Sequence, residues 1–258
     1  MTSPPTTALV TGASSGIGVA IAGELARRGH ALTLVARRAD RLSELAAQIS
    51  GEHGVRVDWI ASDLCDPDDR ERVAGEVAAR GQVVDVLVND AGMGTSGRFH
   101  ELPVANEIRM IRLNVEAMVA LCGAFLPGMV ERGSGRVLNV ASVSGFMPVP
   151  QQATYSASKA FVLTFTEALT FDLHGTGVTA TALCPGPVKT EFAGIIDGLP
   201  NALFIDPARV AREAIDGLEE GRLSVVPGAF NKVNAVSGRY TPRRVFVPLA
   251  RRFWPTAK

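Results

Sequence analysis

Thr11-Gly12-Ala13-Ser14-Ser15-Gly16-Ile17-Gly18 closes the apolar run Ala8–Thr11 and opens the amphipathic stretch Gly18–Arg28. Glycines permit a tight turn and a close backbone approach, and a helix N-terminus offers free N–H groups and a partial positive charge. Together they form a cradle for a pyrophosphate. The spacing is GxxxGxG, not GxGxxG. Alone, such a cluster is equally well explained as a plain strand-to-helix turn. Its position after the first strand, ahead of a helix and a second strand, gives it weight.

Working outward, the runs Leu32–Ala36, Arg56–Ile60, Val84–Val88, Arg136–Val140, Val178–Leu183 and Ser224–Val226 read as strands. Between them Ala39–Ser50, Asp68–Arg80 and Ala208–Glu220 carry apolar residues three or four apart, as helices do. The first four strands are apolar enough to predict burial on both faces. The expectation is an α/β chain: a single Rossmann-like domain over residues 1–258, with a doubly wound parallel sheet of about seven strands and helices on both faces. In that architecture ligands sit beyond the carboxyl ends of the strands.

The formal net charge is zero, which gives no electrostatic support to nucleic-acid binding. Cys65, Cys122 and Cys184 are widely spaced, which predicts reduced thiols and neither a disulfide framework nor a zinc site. No metal-ligand spacing is present, and His30, His53, His100 and His174 receive no role. Met1–Thr7 has no leader character, and no run is read as approaching the length of a membrane span, so a cytoplasmic location is expected.

The second strand ends at Ala36 and runs into Arg37-Arg38, with no carboxylate before Asp40. An acidic residue there would take ribose hydroxyls, whereas a guanidinium suits a 2′-phosphate. NADP(H) is therefore expected, with NAD(H) as the alternative; a solvated basic helix start is the bland reading. Tyr155 and Lys159 are four apart and share a helix face. A nearby ammonium favours the phenolate, so Lys159 is expected to lower the Tyr155 pKa towards the useful range. Random placement of two tyrosines and four lysines in 258 residues gives this spacing only about 0.03 times. Ser142, just after the strand Arg136–Val140, stands where its hydroxyl would hold a substrate oxygen.

Thr11–Gly18, Asn89-Asp90-Ala91-Gly92, Asn114, Ser142, Tyr155, Lys159 and Pro185-Gly186 occur in an order that resembles the short-chain dehydrogenase/reductase family over nearly the whole chain. The resemblance implies hydride transfer between nicotinamide and a carbonyl or secondary alcohol, with Tyr155 as acid/base and Ser142 positioning the substrate oxygen. Lys159 would bind the nicotinamide ribose, and Asn114 would complete a water-linked proton relay. It further implies that Gly12, Ser14, Ser15, Gly16, Ile17 and Gly18 hold the phosphates, that Arg37 and Arg38 select NADP(H), and that Asp63 and Leu64 contact the adenine. Asn89, Ala91 and Gly92 would line the adenosine ribose, and Pro185, Gly186, Val188 and Thr190 the nicotinamide end. Asp90 stands where the family usually has a second asparagine; a structural effect on the sheet is expected, with catalysis retained. Homodimers or homotetramers through the helix bearing Tyr155 are implied as well.

Residues 190–207 are read as a substrate loop. With Phe146, Met147 and Val149, its Phe192, Ile195, Ile196, Leu199, Leu203 and Phe204 suggest a lipophilic ketone or aldehyde. Residues 228–258 form a basic C-terminal extension: after Glu220 the chain carries eight cations and no carboxylate. A weak anionic-membrane contact, a subunit contact or anion clamp, and a solvated helix with one packed side all fit that composition. Two further functions stay open: an NADP(H)-binding sensor or scaffold without turnover, and an NAD-linked alcohol dehydrogenase.

Overall fold

The computed structural model describes residues 6–192 and 203–253, with side chains as far as Ala250. Ile195, Ile196, Leu199, Trp254, Lys258 and the side chains of Arg251 and Arg252 lie outside the described residues. Seven strands, β1 (Thr7–Thr11), β2 (Ala31–Ala36), β3 (Val57–Ala61), β4 (Val84–Asn89), β5 (Gly135–Val140), β6 (Val178–Leu183) and β7 (Ser224–Val225), form one sheet. Its order is β3-β2-β1-β4-β5-β6-β7, and every pairing is parallel.

Alternate residues of each strand face opposite layers. Ala8 and Val10 of β1 pack with α1 (Gly16–Arg27), α2 (Ala39–His53) and α7 (Pro207–Glu219), through Ile21, Leu25, Leu42, Ile49, Val210 and Ile215. Leu9 faces the other layer with α3 (Pro67–Ala79), α5 (Ala117–Arg132) and α6 (Ala153–Asp172), through Val73, Val77, Leu121, Met129 and Val162. This is the doubly wound arrangement. One strand departs from expectation: β3 is the sheet edge, and its Trp59 is 37% exposed, so burial on both faces holds for β1, β2 and β4 but not for β3.

The segment before β5 corrects a second expectation. α4 (Val104–Ile111), a π turn (Arg112–Glu116) and α5 run on as one helix, Val104–Arg132, that is long and apolar enough to cross a membrane by length and composition. Here it is the crossover from β4 to β5, and Met118, Leu121, Cys122 and Met129 of its inner side are buried in the core. After β7 the described residues continue through α8 (Ala229–Tyr240) and α9 (Arg243–Phe253).

Candidate active site

The strand order reverses between β1 and β4, and the loops leaving them meet there. A methyl group on Gly12, whose φ is +69°, would lie 2.9 Å from the Ala91 nitrogen. One on Gly18 would lie 2.5 Å from the Gly12 carbonyl oxygen. These clashes require glycine: the first turn of α1 folds back against its own loop and against the loop after β4. Ser15 caps α1 from an extended conformation without a side-chain bond to the helix, so the first-turn N–H groups remain for a ligand. The residues present thus fit a dinucleotide's phosphates.

That turn opens onto a cleft of about 580 Å³. Gly12, Ser14, Ser15, Gly16 and Ile17 line it at the phosphate loop, and Arg37, Arg38, Asp63 and Leu64 at the far end. Ala91, Gly92, Pro185, Gly186, Val188 and Thr190 line its middle, with Ser142, Tyr155 and Lys159. Three expected residues do not line it. Gly18 serves loop packing. Asn89 is buried at the end of β4 and donates to Asn139 Oδ1 at 2.8 Å, which makes it a link between strands. Asn114, in the π turn, accepts from Met93 N and donates to Met93 O, each at 2.9 Å, and donates to Ser158 Oγ at 3.0 Å. Its side chain thereby fixes the loop after β4 to α6.

The two arginines differ. Arg38 donates to the Ser14 carbonyl oxygen at 3.0 Å and to Ser14 Oγ, bracing the phosphate loop. Arg37 is exposed at the cleft edge and makes no hydrogen bond or ion pair with the described residues. It is the cation left available to a phosphate. Asp63 donates from its backbone N–H to Asp69, and its carboxylate receives Arg109 at 2.6 Å. Against burial, the Cys65 amide and Arg109 hold that carboxyl below its usual range.

Tyr155 and Lys159 rise on one face of α6 beside β5, as their spacing predicts. Lys159 Nζ donates to the Val140 carbonyl oxygen at 2.7 Å and lies 5.9 Å from the centre of the Tyr155 ring. Ser142 accepts from Ser144 N at 3.1 Å, and its hydroxyl donates to the Pro185 carbonyl oxygen at 3.5 Å. The expected lowering of the tyrosine pKa is not what these groups produce. Burial pushes Tyr155 up to about 12; the Ser142 hydroxyl opposes this, and the nearby Asp90 carboxylate adds to it. Burial also lowers Lys159, so the ammonium expected to counter the effect is itself weakened.

Asp90 does more than the expected adjustment of the sheet. It lines the cleft, accepts a hydrogen bond from the Gly18 N–H, and faces Lys159 electrostatically. At the substrate end Met147, Val149, Phe192 and Leu203 line the cleft, and Tyr155 meets Phe192 with ring centres 5.8 Å apart. Phe146 is instead buried in the core, and Phe204 is not part of the lining.

Sequence reading missed the C-terminal helices as walls of this cleft. Phe230, Asn231 and Asn234 of α8 and Phe246, Leu249 and Ala250 of α9 complete it. Asn231 is buried, donates to the Pro227 carbonyl oxygen at 2.9 Å, and packs directly on Gly186. The available signal was an amphipathic tail with a polar residue in the middle of its first helix, a pattern that does not say what the helix covers.

Comparison with known proteins places this geometry. The short chain dehydrogenase family profile matches residues 6–197. A short chain dehydrogenase of Pseudocercospora fijiensis is 38% identical over 76% of this chain, a match spanning 64% of that relative's length. A short-chain dehydrogenase from Sphingobium yanoikuyae, solved in complex with NADPH, is 33% identical and covers 98% of each chain with a TM-score of 0.82. A bulky-bulky ketone specific alcohol dehydrogenase from Comamonas testosteroni is 31% identical, covers 98% of this chain and 100% of its own, and gives a TM-score of 0.79.

Proposed function

The chain belongs to the short-chain dehydrogenase family, and on that premise we propose that it is an NADP(H)-dependent oxidoreductase acting on a bulky, lipophilic ketone or aldehyde and the corresponding alcohol. The observation that carries this reading is one cleft lined by the glycine loop, by Arg37, which has no partner among the described residues, and by Ser142, Tyr155 and Lys159. Bound nicotinamide supplies the hydride. Gly12 to Ile17 and the N-terminus of α1 hold the phosphates, and Arg37 reaches the 2′-phosphate. Lys159 and the Pro185–Thr190 loop hold the nicotinamide end.

Ser142 and Tyr155 aim two hydroxyls at one substrate oxygen. A phenol with a pKa near 12 keeps its proton at neutral pH. It can give that proton to a developing alkoxide during reduction and recover it from the alcohol during oxidation. The apolar walls from Met147, Val149, Phe192, Phe246 and Leu249 support a bulky substrate.

Outward-facing Val119, Phe161 and Phe171 on α5 and α6 support a homodimer or homotetramer through those helices. Three free thiols fit a reducing, cytoplasmic setting. The test is NADPH oxidation across a panel of bulky ketones and aldehydes. Turnover lost in Tyr155→Phe, with NADPH affinity kept, supports the reading. Tight NADPH binding with no turnover on any member makes the protein a cofactor-binding scaffold instead.

A further inference from the structure

α8 is apolar on two opposite sides. Asn231, Ala235 and Gly238 are buried against the body of the protein. Phe230, Val233, Val236 and Tyr240 fall within one sector of about 120° on the other side, and are 58%, 69%, 58% and 74% exposed. α9 continues this exposed surface with Val245 and Leu249, 52% and 51% exposed. Six large apolar side chains thus face outward within twenty residues. A surface helix of a soluble domain typically carries one apolar stripe, and the outer stripe of α8 is left exposed by the described residues.

The charges around the stripe identify its partner. Lys232 and Arg244 are exposed, Arg243 is exposed and donates to the Phe146 carbonyl oxygen at 3.2 Å, and Arg239 is held by Glu167 at 3.0 Å. No carboxylate lies on either helix. A symmetric contact through these two helices would bring cations from both copies together with no carboxylate of either helix to offset them. An anionic lipid surface neutralises them while its acyl region takes the apolar stripe. Phe230 and Leu249 belong to both features: they are exposed, and they line the cleft.

We infer that the outer face of α8 and α9 docks on anionic lipid bilayers and places the mouth of the cleft at the membrane surface. The surface stands on its own geometry; the delivery of substrate through it rests on the lipophilic reading proposed above. Docking brings Phe230 and Leu249 to the acyl boundary, from which an apolar ketone enters the cleft without crossing water.

The experiment is flotation of the full chain with phosphatidylcholine vesicles and with vesicles that are one-third phosphatidylglycerol, at physiological salt. Recovery with the anionic vesicles is expected, with partitioning on the order of a hundredfold above the neutral ones, given the three exposed cations Lys232, Arg243 and Arg244. Val233→Asp with Val236→Asp, neither of which lines the cleft, removes flotation and leaves the melting transition intact. Lys232→Glu with Arg244→Glu, which keeps every apolar residue, does the same. Protein that stays in solution with anionic vesicles, or floats equally with both kinds, overturns the inference. So does a dimer that V233D/V236D dissociates without any flotation of the original chain. None of these readings needs turnover, so failure of the proposed reaction shows separately, in the Tyr155→Phe comparison.

Discussion

The carboxyl of Asp90 and the amine of Lys159 share the wall of the cleft, where burial raises the first and lowers the second and each charge opposes the other's shift. Asp90 also raises Tyr155. Replacing it by the asparagine usual at this position removes a negative charge that disfavours the phenolate. In Asp90→Asn the Tyr155 pKa therefore falls. The alkaline limb of the reduction rate moves to lower pH with it. The chain has two tyrosines, so phenolate absorbance in a Tyr240→Phe background reads Tyr155 directly. A titration curve unchanged by D90N would remove Asp90 from the proton-transfer system.

Gly186 and Asn231 are in closer contact than any side chain at residue 186 would allow. A methyl group there would lie 2.2 Å from Asn231 Oδ1. Gly186→Ala must push α8 away from the nicotinamide loop, at a cost of about 1–3 kcal/mol for an overpacked buried site. The loss should appear in both the melting temperature and the NADPH affinity. Adding Asn231→Ala relieves the clash, so the double variant binds NADPH better than Gly186→Ala alone. Independent, additive losses would mean that this contact does not couple the helix to the loop.

Residues that follow strands were legible in sequence, because strand ends and glycine turns are local signals. The GxxxGxG turn, Arg37-Arg38, Ser142, Tyr155 and Lys159 all reach one cleft for that reason. What was not legible depends on long-range packing. Asn89 reads like its neighbours Ala91 and Gly92, yet at the last position of β4 its side chain turns into the sheet towards Asn139. Phe146 and Met147 are adjacent, but only the pattern of neighbouring elements decides that the first is core and the second cleft wall. The Tyr155 pKa was misread in direction because a sequence shows the lysine's spacing and not the burial that outweighs it. Trp59 sits in a strand of ordinary β character, and only the sheet order makes that strand an edge.

Arg37 and Arg38 separate selectivity from loop stability. Arg37→Ala should weaken NADPH binding by roughly ten- to a hundredfold, the worth of a charge-assisted phosphate contact, and leave NADH unchanged. Arg38→Ala loosens the Ser14 turn that both cofactors use, so both weaken together. Isothermal titration with each cofactor distinguishes the two. Equal loss of NADPH and NADH in Arg37→Ala would leave the 2′-phosphate without its assigned partner.

Acid should unlock α1 from α7. Arg28 joins Glu24 of α1 at 2.7 Å to Asp216 and Glu219 of α7, each at 2.6 Å. Glu24 is held down to about 2, first by its hydrogen bond to Arg27 and then, against burial, by Arg28. A carboxylate with a depressed native pKa contributes stability that is present above its unfolded value, near 4.5, and is lost as pH falls towards 2. After solvent screening that contribution is about 1 kcal/mol. Glu24→Gln should therefore lower the melting temperature at pH 7 and leave it nearly equal to the parent's near pH 2. A constant gap across that range would place the effect in packing instead of charge.

Phe246 is the wall residue whose removal best separates lid from catalyst. It is half-buried on α9, lines the cleft, and lies far in sequence from every proton-transfer residue. Phe246→Ala removes apolar contact with the non-reacting part of a bulky substrate, worth about 1–3 kcal/mol for a side chain of this size. If that part is bound equally in the ground and transition states, KM rises with kcat unchanged. Small ketones, which do not reach α9, should keep both constants, and NADPH affinity should not move. A fall in kcat for small and bulky ketones alike would show that α9 shapes the reacting end, and the lid would then be part of the catalytic geometry.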